Sequence, residues 1–331
     1  MKNSSYFFSI LLIILFLCGG TINLQAYNLR QFSNKNGLSN SAILSLYQDN
    51  KGVIWIGSCD GLNISDGTDI YLFHSITDSP NKTLLSGNLI NQIYSSEEHI
   101  LWIQTNYGLD RLDTRSQACQ SFIDFKDNNF MASSNDGTLF LLKDDGLLYY
   151  FQDTDQTFKT IDGLNVNFSQ VRSMTVDKHD ILWIFGTGNE IYSYRIHNGD
   201  NGNIDLSEEL LFRHSNGLRW AFAEKDVAYF IDDTYSFYEY DFNNCKQYFI
   251  ADLKPEIEAH GEVSSVIKQG NDYYIGFKNS GLIVLKYMPD KKNEISGLFY
   301  WYKLWYFLFN ERSISRYCVD WYRWPGGVYV F

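Results

Sequence analysis

The sequence predicts an all-β fold, a β-propeller of four-stranded antiparallel blades. A motif centred on an aromatic residue recurs six times at separations of 47, 38, 43, 46 and 45 residues, which is the period of propeller blades. Within each repeat, short runs of β-branched and aromatic residues alternate with polar residues, and turns rich in Gly, Asn and Asp separate the runs. Four such runs fit into one repeat, which is the number of strands in a blade.

The first 26 residues are predicted to be a secretory signal peptide. Lys2 precedes an apolar segment from Tyr6 to Leu17, and small and polar residues follow as far as Ala26. This layout is typical of an export signal, and the apolar segment is too short to span a bilayer. We therefore expect an exported chain without a membrane span. Lipidation at Cys18 is the less favoured interpretation, because that processing normally needs a small residue where Leu17 stands.

The propeller is predicted over residues 27–295, and its clearest repeat is KGVIWIGSCDGLNISDG at residues 51–67. In the second repeat Gly108 follows Trp102 by six residues, as Gly61 follows Trp55. The six aromatic anchors of the repeats are Trp55, Trp102, Phe140, Trp183, Tyr229 and Tyr274. One such ring buries about 150–250 Å², so we expect the anchors to pack between neighbouring blades and not to bind a ligand.

Composition and charge exclude several classes of function. The chain has 331 residues, of which 45% are apolar, and its net charge is -12. The sequence has no cluster of basic residues that could neutralise a phosphate backbone, so we expect no nucleic-acid partner. The cysteines form no CxxC pair and have no metal-type spacing, so we expect neither a metal nor another cofactor.

One long stretch resembles a known family. The residues GLSNSAILSLYQDNKGVIWIGSCDGLNISDG, at positions 37–67, resemble the two-component regulator propeller repeat. The resemblance covers Tyr27 to about Glu294 and fades after the second repeat. It implies the periplasmic sensor region of a hybrid two-component system, with an oligosaccharide ligand and with homodimerisation in full-length relatives. It also implies that a short strand in YNLRQFS closes the ring against the last blade.

The full-length relatives implied by this resemblance carry further domains. They continue through a second propeller, an immunoglobulin-like domain, a membrane helix, a histidine kinase and a response regulator. The sequence contains none of these, so we expect a chain that is not an enzyme and does not signal by itself.

The end of the sequence, residues 296–331, is predicted to be an aberrant tail. From Leu298 to Phe331 it has 14 aromatic residues among 34, against 17% in the whole chain. Permitted codons for the last 15 residues, read one base later, encode IVWIGTDGQGVYMF, which is a seventh copy of the repeat. The glycines that replace Trp321 and Trp324 are forced, because Trp has the single codon TGG.

We therefore expect a one-base frameshift near Ile295 to Leu298 and a truncated sensor as the product. Sequencing the gene tests this expectation. A shifted frame that stops at once, instead of continuing for hundreds of residues, would contradict it.

No set of residues predicts catalysis, since the chain lacks a GxSxG elbow, an HExxH motif and a P-loop. Propellers usually bind ligands where loops meet the starts of the innermost strands. The polar and aromatic candidates at those places are Asn40, Ser41, Asn88, Asn91, Arg172, Arg219 and Trp220. For each of them, turn formation or strand packing is the alternative role.

Two other functions remain open at this point. One is a secreted carbohydrate-active propeller enzyme, a lyase or a hydrolase. The other is a structural or adhesive surface propeller.

Overall fold

The computed structural model describes most of the predicted propeller. The described residues are 30–73, 85–126, 129–199, 202–223, 226–278 and 282–286, with the backbone of 294–299, 306–307 and 328–330. The predicted signal peptide and most of the predicted tail lie outside them.

Six antiparallel sheets of four strands form a β-propeller, and in each sheet the strands follow one another in chain order. Blade one contains β2 (Ile43–Gln48), β3 (Ile54–Ser58), β4 (Gly61–Ser65) and β5 (Ile70–Leu72). Blade two contains β6 (Ile90–Glu97), β7 (Ile100–Thr105), β8 (Leu109–Asp113) and β9 (Cys119–Phe122). Blade three contains β10 (Phe130–Ser133), β11 (Leu139–Leu142), β12 (Leu147–Gln152) and β13 (Thr157–Asn165).

The remaining blades have the same order. Blade four contains β14 (Val171–Val176), β15 (Ile181–Gly186), β16 (Glu190–Asn198) and β17 (Ile204–Arg213). Blade five contains β18 (Leu218–Ala223), β19 (Val227–Asp232), β20 (Ser236–Asp241) and β21 (Lys246–Asp252). Blade six contains β22 (Val263–Gln269), β23 (Asp272–Phe277), β24 (Leu282–Lys286) and β25 (Glu294–Phe299). The all-β propeller predicted from the repeats is confirmed.

The core consists of apolar layers between consecutive blades. Successive side chains of a strand point to opposite faces of the sheet. The second strand of a blade therefore contributes side chains to the apolar layers on both sides of that blade. In β3, Trp55 packs against Ile93 and Ile103 of blade two, while Ile54 and Ile56 pack on the opposite face of blade one.

The aromatic anchors lie in these layers. Trp102, Phe140, Trp183 and Tyr229 are each at most 5% exposed and pack against the blade that follows their own. Blade six differs, because Tyr273 is the fully buried ring and packs against blade five, whereas Tyr274 is half-buried on the other face.

A carboxylate fixes the anchor in two blades, and that of Asp177 is buried whereas that of Asp49 is half-buried. The indole N–H of Trp183 donates to Asp177 Oδ2 at 2.9 Å, and Asp177 Oδ1 accepts the backbone N–H groups of His179 and Ile181. Asp49 accepts from the indole of Trp55 at 3.2 Å in the same way. These bonds satisfy the indole N–H, which would otherwise be desolvated without a partner.

The first and the last of the described strands meet in a small separate sheet. The short strand β1 (Arg30–Phe32) pairs antiparallel with β27 (Val328–Val330), and β27 pairs parallel with β26 (Tyr306–Phe307). The N-terminal strand thus pairs with a strand of the predicted tail and not with one of blade six. The outermost strand of blade six, β25, also crosses the boundary predicted at residue 295.

The helical content of the described residues is small. A helix α1 (Lys254–His260) connects blades five and six, and its Ile257 packs into the layer between them. Single 3-10 turns cover Asn34–Asn36, Ile123–Phe125 and Phe168–Gln170. Among the described residues, no helix has the length and apolarity required to cross a bilayer.

Candidate functional site

The innermost strands of the six blades all begin at one end of the propeller, which we call the bulge face. The turns that follow the second strands lie at the same end, because the first two strands of a blade are antiparallel. Ile43 at the start of β2, for instance, pairs with Ser58 at the end of β3. The bulge face therefore brings together loops from every blade on a rigid scaffold, an arrangement that suits binding.

A β-bulge interrupts the start of the innermost strand in five blades. In each case the register shifts by one residue, so one residue has no partner on the second strand. These bulge residues are Leu44, Asn91, Arg172, Arg219 and Ser264. Three of the predicted candidates, Asn91, Arg172 and Arg219, therefore occupy one equivalent position in blades two, four and five. A bulge at this position changes the direction in which the side chain points.

Arg172 and Arg219 have different surroundings at this equivalent position. Arg172 is exposed, and its guanidinium donates to the backbone carbonyls of Ser169 and Val171. The guanidinium of Arg219 donates to Glu262 Oε1 at 2.7 Å and lies 4.6 Å from the ring centre of Tyr235. The Nε atom of Arg219 is buried without a hydrogen-bond partner.

Trp220 packs within the fold. It stacks on Phe222 at 6.5 Å and lies against the apolar layer between blades five and six. The bulge at Arg219 explains this placement, because it turns Trp220 to the face opposite Leu218. The sequence suggested that the Trp220 ring could face a ligand, whereas in the structure most of this side chain packs inside the fold.

The candidates of blades one and two lie in the loops that lead into β2 and β6. Asn40 Oδ1 accepts the backbone N–H of Ala42 at 2.8 Å, and the Ser41 hydroxyl donates to Asn34 Oδ1. Asn88 is exposed, and its carbonyl accepts the N–H of Gly61 at 2.6 Å, which joins the two blades. Asn40 and Ser41 therefore have turn-forming contacts, whereas the Asn88 side chain faces solvent.

Two equivalent sets of hydrogen bonds, which we call polar locks, fix the loops of the first two blades. In blade one, Asn63 Oδ1 accepts the N–H of Ser39 at 2.9 Å, and the hydroxyls of Ser39 and Ser58 lie 2.9 Å apart. In blade two, 47 residues later, Asp110 Oδ2 accepts the N–H of Ser86 at 2.8 Å, and the hydroxyls of Ser86 and Thr105 lie 2.7 Å apart. Burial raises the pKa of the Asp110 carboxyl.

Blade five has a buried histidine at the corresponding place. His214 Nε2 lies 3.1 Å from Asp232 Oδ2, and its Nδ1 lies 3.1 Å from Gln247 Oε1. Burial alone would raise the pKa of Asp232, but hydrogen bonds from Thr234, Asn216 and His214 together lower it. Asp232 Oδ1 accepts the backbone N–H groups of Thr234 and Ser236 in the turn after β19, and His214 links this turn to Gln247 on β21, so the contacts of this cluster hold blade five together.

Sequence reasoning missed two exposed side chains of the bulge face. Tyr107 is 63% exposed and Ile123 is 68% exposed. The sequence contains one signal for Tyr107, because this aromatic residue stands five residues after the anchor Trp102, where the first repeat has the polar Asp60. Within the described residues, no group of three or more His, Cys, Asp and Glu side chains is placed to bind a metal ion.

Comparisons with known proteins agree with the repeat. Residues 37–60 match the family model of the two-component regulator propeller, which confirms the resemblance at the first repeat. The extracellular domain of BT3049 from B. thetaiotaomicron, described as a hybrid two component system, has a TM-score of 0.54 and 17% identity. The alignment covers 82% of this chain and 36% of that chain.

Two further solved structures are similar. The extracellular domain of BT4673 from B. thetaiotaomicron, described as a one component system, has a TM-score of 0.53 and 18% identity, and covers 82% of this chain and 35% of that chain. PorZ, a surface component of the type-IX secretion system of Porphyromonas gingivalis, has a TM-score of 0.55 and 16% identity. Its alignment covers 81% of this chain and 34% of PorZ. The chain thus spans about a third of the length of these relatives, and such identities establish the fold alone. A comparison with curated proteins finds no match.

Proposed function

We propose that this chain is an exported, ligand-sensing propeller of a two-component regulatory system, that it acts in the periplasm and that its ligand is an oligosaccharide. The observation that carries the proposal is the match of residues 37–60 to the two-component regulator propeller. Two of the three solved relatives described above are extracellular domains. The oligosaccharide rests on the resemblance of residues 37–67 to sensors of that type.

The bulge face is the proposed binding surface. Asn88, Arg172 and Arg219 supply amide and guanidinium donors there, which suit hydroxyl oxygens of a sugar. Their backbones are fixed by bulges and by bonds between blades, so little ordering would be needed on binding. A bound ligand would signal by favouring one of two arrangements of the sensor, which requires different affinities for the two.

The experiment is calorimetric titration of the exported chain with cellohexaose, xylohexaose, mannohexaose and trigalacturonate. Binding of one saccharide, weakened by Asn88→Ala and Arg172→Ala, is the expected result. Arg195→Ala is the matched control, because Arg195 lies on blade four and pairs with the exposed Glu209. Absence of binding would contradict the proposal and favour a structural propeller, and release of shorter products would favour an enzyme.

A further inference from the structure

The two most exposed large apolar side chains among the described residues lie on adjoining turns of the bulge face. Tyr107 is 63% exposed in the turn between β7 and β8, and Ile123 is 68% exposed in the 3-10 turn after β9. A Cβ placed on Gly108 would lie 3.0 Å from the carbonyl oxygen of Phe122 and 3.3 Å from Cα of Ile123. The two turns are therefore in close contact, and each carries one exposed apolar side chain.

The turn that carries Tyr107 is rigid. The Thr105 hydroxyl accepts the N–H groups of Tyr107 and Gly108, both at 3.1 Å, and lies 2.7 Å from the hydroxyl of Ser86. The N–H of Asn106 donates to the carbonyl of Leu89 at 3.2 Å. The backbone under the tyrosine is thus fixed before any ligand arrives.

Gly87 sets the position of the ring. A Cβ on Gly87 would lie 2.3 Å from Oδ1 of Asn106 and 3.0 Å from Cδ2 of Tyr107. The glycine backbone therefore packs directly against the amide and against the ring edge. The ring is held at one edge while most of its surface stays in solvent.

The turn that carries Ile123 is also fixed from below. Phe125, two residues further on, is buried, and its carbonyl accepts from Gln104 Nε2 at 2.8 Å and from Asn129 Nδ2 at 3.3 Å. Gln104 is itself 1% exposed. Ile123 is thus displayed at the surface by a turn whose other aromatic residue is anchored in the core.

The fold does not require a tyrosine at this position. The residues five places after the anchors of blades one, three, four and five are Asp60, Asp145, Gly188 and Thr234. These are small or polar residues that suit tight turns. The exposed ring of Tyr107 is therefore free of a role in the turn, and its apolar face with a polar hydroxyl at one edge is suited to contact a ligand.

We propose that Tyr107 and Ile123 form a stacking subsite for one ring of a neutral oligosaccharide, with Asn88 and Asn106 at its edge. A pyranose has an apolar C–H face and a rim of hydroxyls, which match an exposed aromatic ring flanked by amides. The turns at 59–61, 86–89, 105–108 and 122–126 carry Asp60, Asp124 and the exposed Lys126, so their net charge is -1. Such a surface does not attract an acidic saccharide, which favours a neutral one. This inference rests on the proposed function and names the residues that recognise the sugar.

The test compares variants of the exported chain in calorimetric titrations with cellohexaose, xylohexaose and mannohexaose, and with trigalacturonate as the acidic probe. Tyr107→Ala should weaken binding of the neutral saccharide about two- to tenfold, because a stacked ring contributes about 0.5–1.5 kcal/mol and about 1.4 kcal/mol corresponds to a factor of ten. Tyr107→Phe should retain most of the affinity, since the ring remains. Tyr71→Ala is the control, because Tyr71 is 60% exposed on the outermost strand of blade one.

Each other outcome overturns the inference in a distinct way. If a neutral saccharide binds Tyr107→Ala as tightly as the wild type, the subsite is wrong and the sensing function stands. If no saccharide binds the wild type, both the stacking subsite and the proposed sensing function are wrong. If only trigalacturonate binds, the assignment to a neutral sugar is wrong. If sedimentation shows a dimer that Tyr107→Ala abolishes, without an effect on saccharide affinity, the surface is a protein contact.

Discussion

Asp110 occupies in blade two the position that Asn63 occupies in blade one. Both accept the backbone N–H of a serine, Ser86 at 2.8 Å and Ser39 at 2.9 Å. Asn63 also donates through Nδ2 to the carbonyl of Ile56 at 3.3 Å, whereas the buried Oδ1 of Asp110 has no hydrogen-bond partner. One blade thus uses a fully satisfied amide where the next has an incompletely satisfied carboxyl.

We expect Asp110→Asn to stabilise the protein by about 1–2 kcal/mol at neutral pH, because an unsatisfied buried polar group costs about 1–3 kcal/mol. The new amide would keep the bond from Ser86 and gain a donor toward the carbonyl of Ile103. Denaturant unfolding monitored by tryptophan fluorescence measures the change. Asn63→Asp is the matched reverse substitution and should destabilise blade one. A loss of stability in Asp110→Asn would show that the locks are not equivalent.

The effect of Asp110→Asn should depend on pH. Burial raises the pKa of Asp110 in the folded state above its usual value of about 3.8. An acid with a raised folded-state pKa contributes stability that is complete below its unfolded-state pKa and is lost as the pH rises through the folded-state pKa. The gap in Tm between the variant and the wild type should therefore be small near pH 3 and widen toward pH 7. A gap that stays constant over this range would contradict the assignment.

Asp177 should be among the most sensitive positions of blade four. Its carboxylate accepts the N–H groups of His179 and Ile181 and the indole N–H of Trp183, at 2.8, 3.0 and 2.9 Å. Asp177→Ala leaves three donors without a partner, and we expect a loss of about 2–4 kcal/mol in the free energy of unfolding. Lys178→Ala, an exposed change in the same turn, should alter it by less than about 0.5 kcal/mol. Equal effects of the two substitutions would refute a special role for the carboxylate.

Glu239 should contribute more to stability than an exposed ion pair does. Its carboxylate accepts from Lys268 at 2.7 and 2.8 Å and from the hydroxyl of the buried Tyr273 at 2.6 Å, so it joins blades five and six. We expect Glu239→Gln to cost about 2 kcal/mol, because a charged hydrogen-bonded network is weakened where it is partly desolvated.

Glu209 provides the matched control for this prediction. It pairs with Arg195 at 2.7 Å within blade four, but both side chains are well exposed. Glu209→Gln should leave Tm unchanged in thermal unfolding followed by circular dichroism, because solvent and salt screen exposed pairs. A drop in Tm as large as that of Glu239→Gln would mean that burial does not distinguish the two pairs.

Much of the fold was predictable because its signals are local. The spacing from Trp55 to Trp102 and the alternation within each repeat depend only on neighbouring residues. They predicted four-stranded blades with aromatic rings between them, and Trp55, Trp102, Phe140, Trp183 and Tyr229 lie there. The exposure of Tyr107 was not predictable in the same way, because it depends on which turns neighbour one another across the ring.

By itself, the sequence determined the class of fold, the number of described blades and the end of the ring at which Asn88, Arg172 and Arg219 gather. Only the tertiary structure decided which face each side chain takes. The bulge at Arg219 turns Trp220 into the layer between blades five and six, and β1 pairs with a strand near the C-terminus. The physical reason is that period and polarity are written along the chain, whereas a one-residue shift of register reverses the face of every residue beyond it.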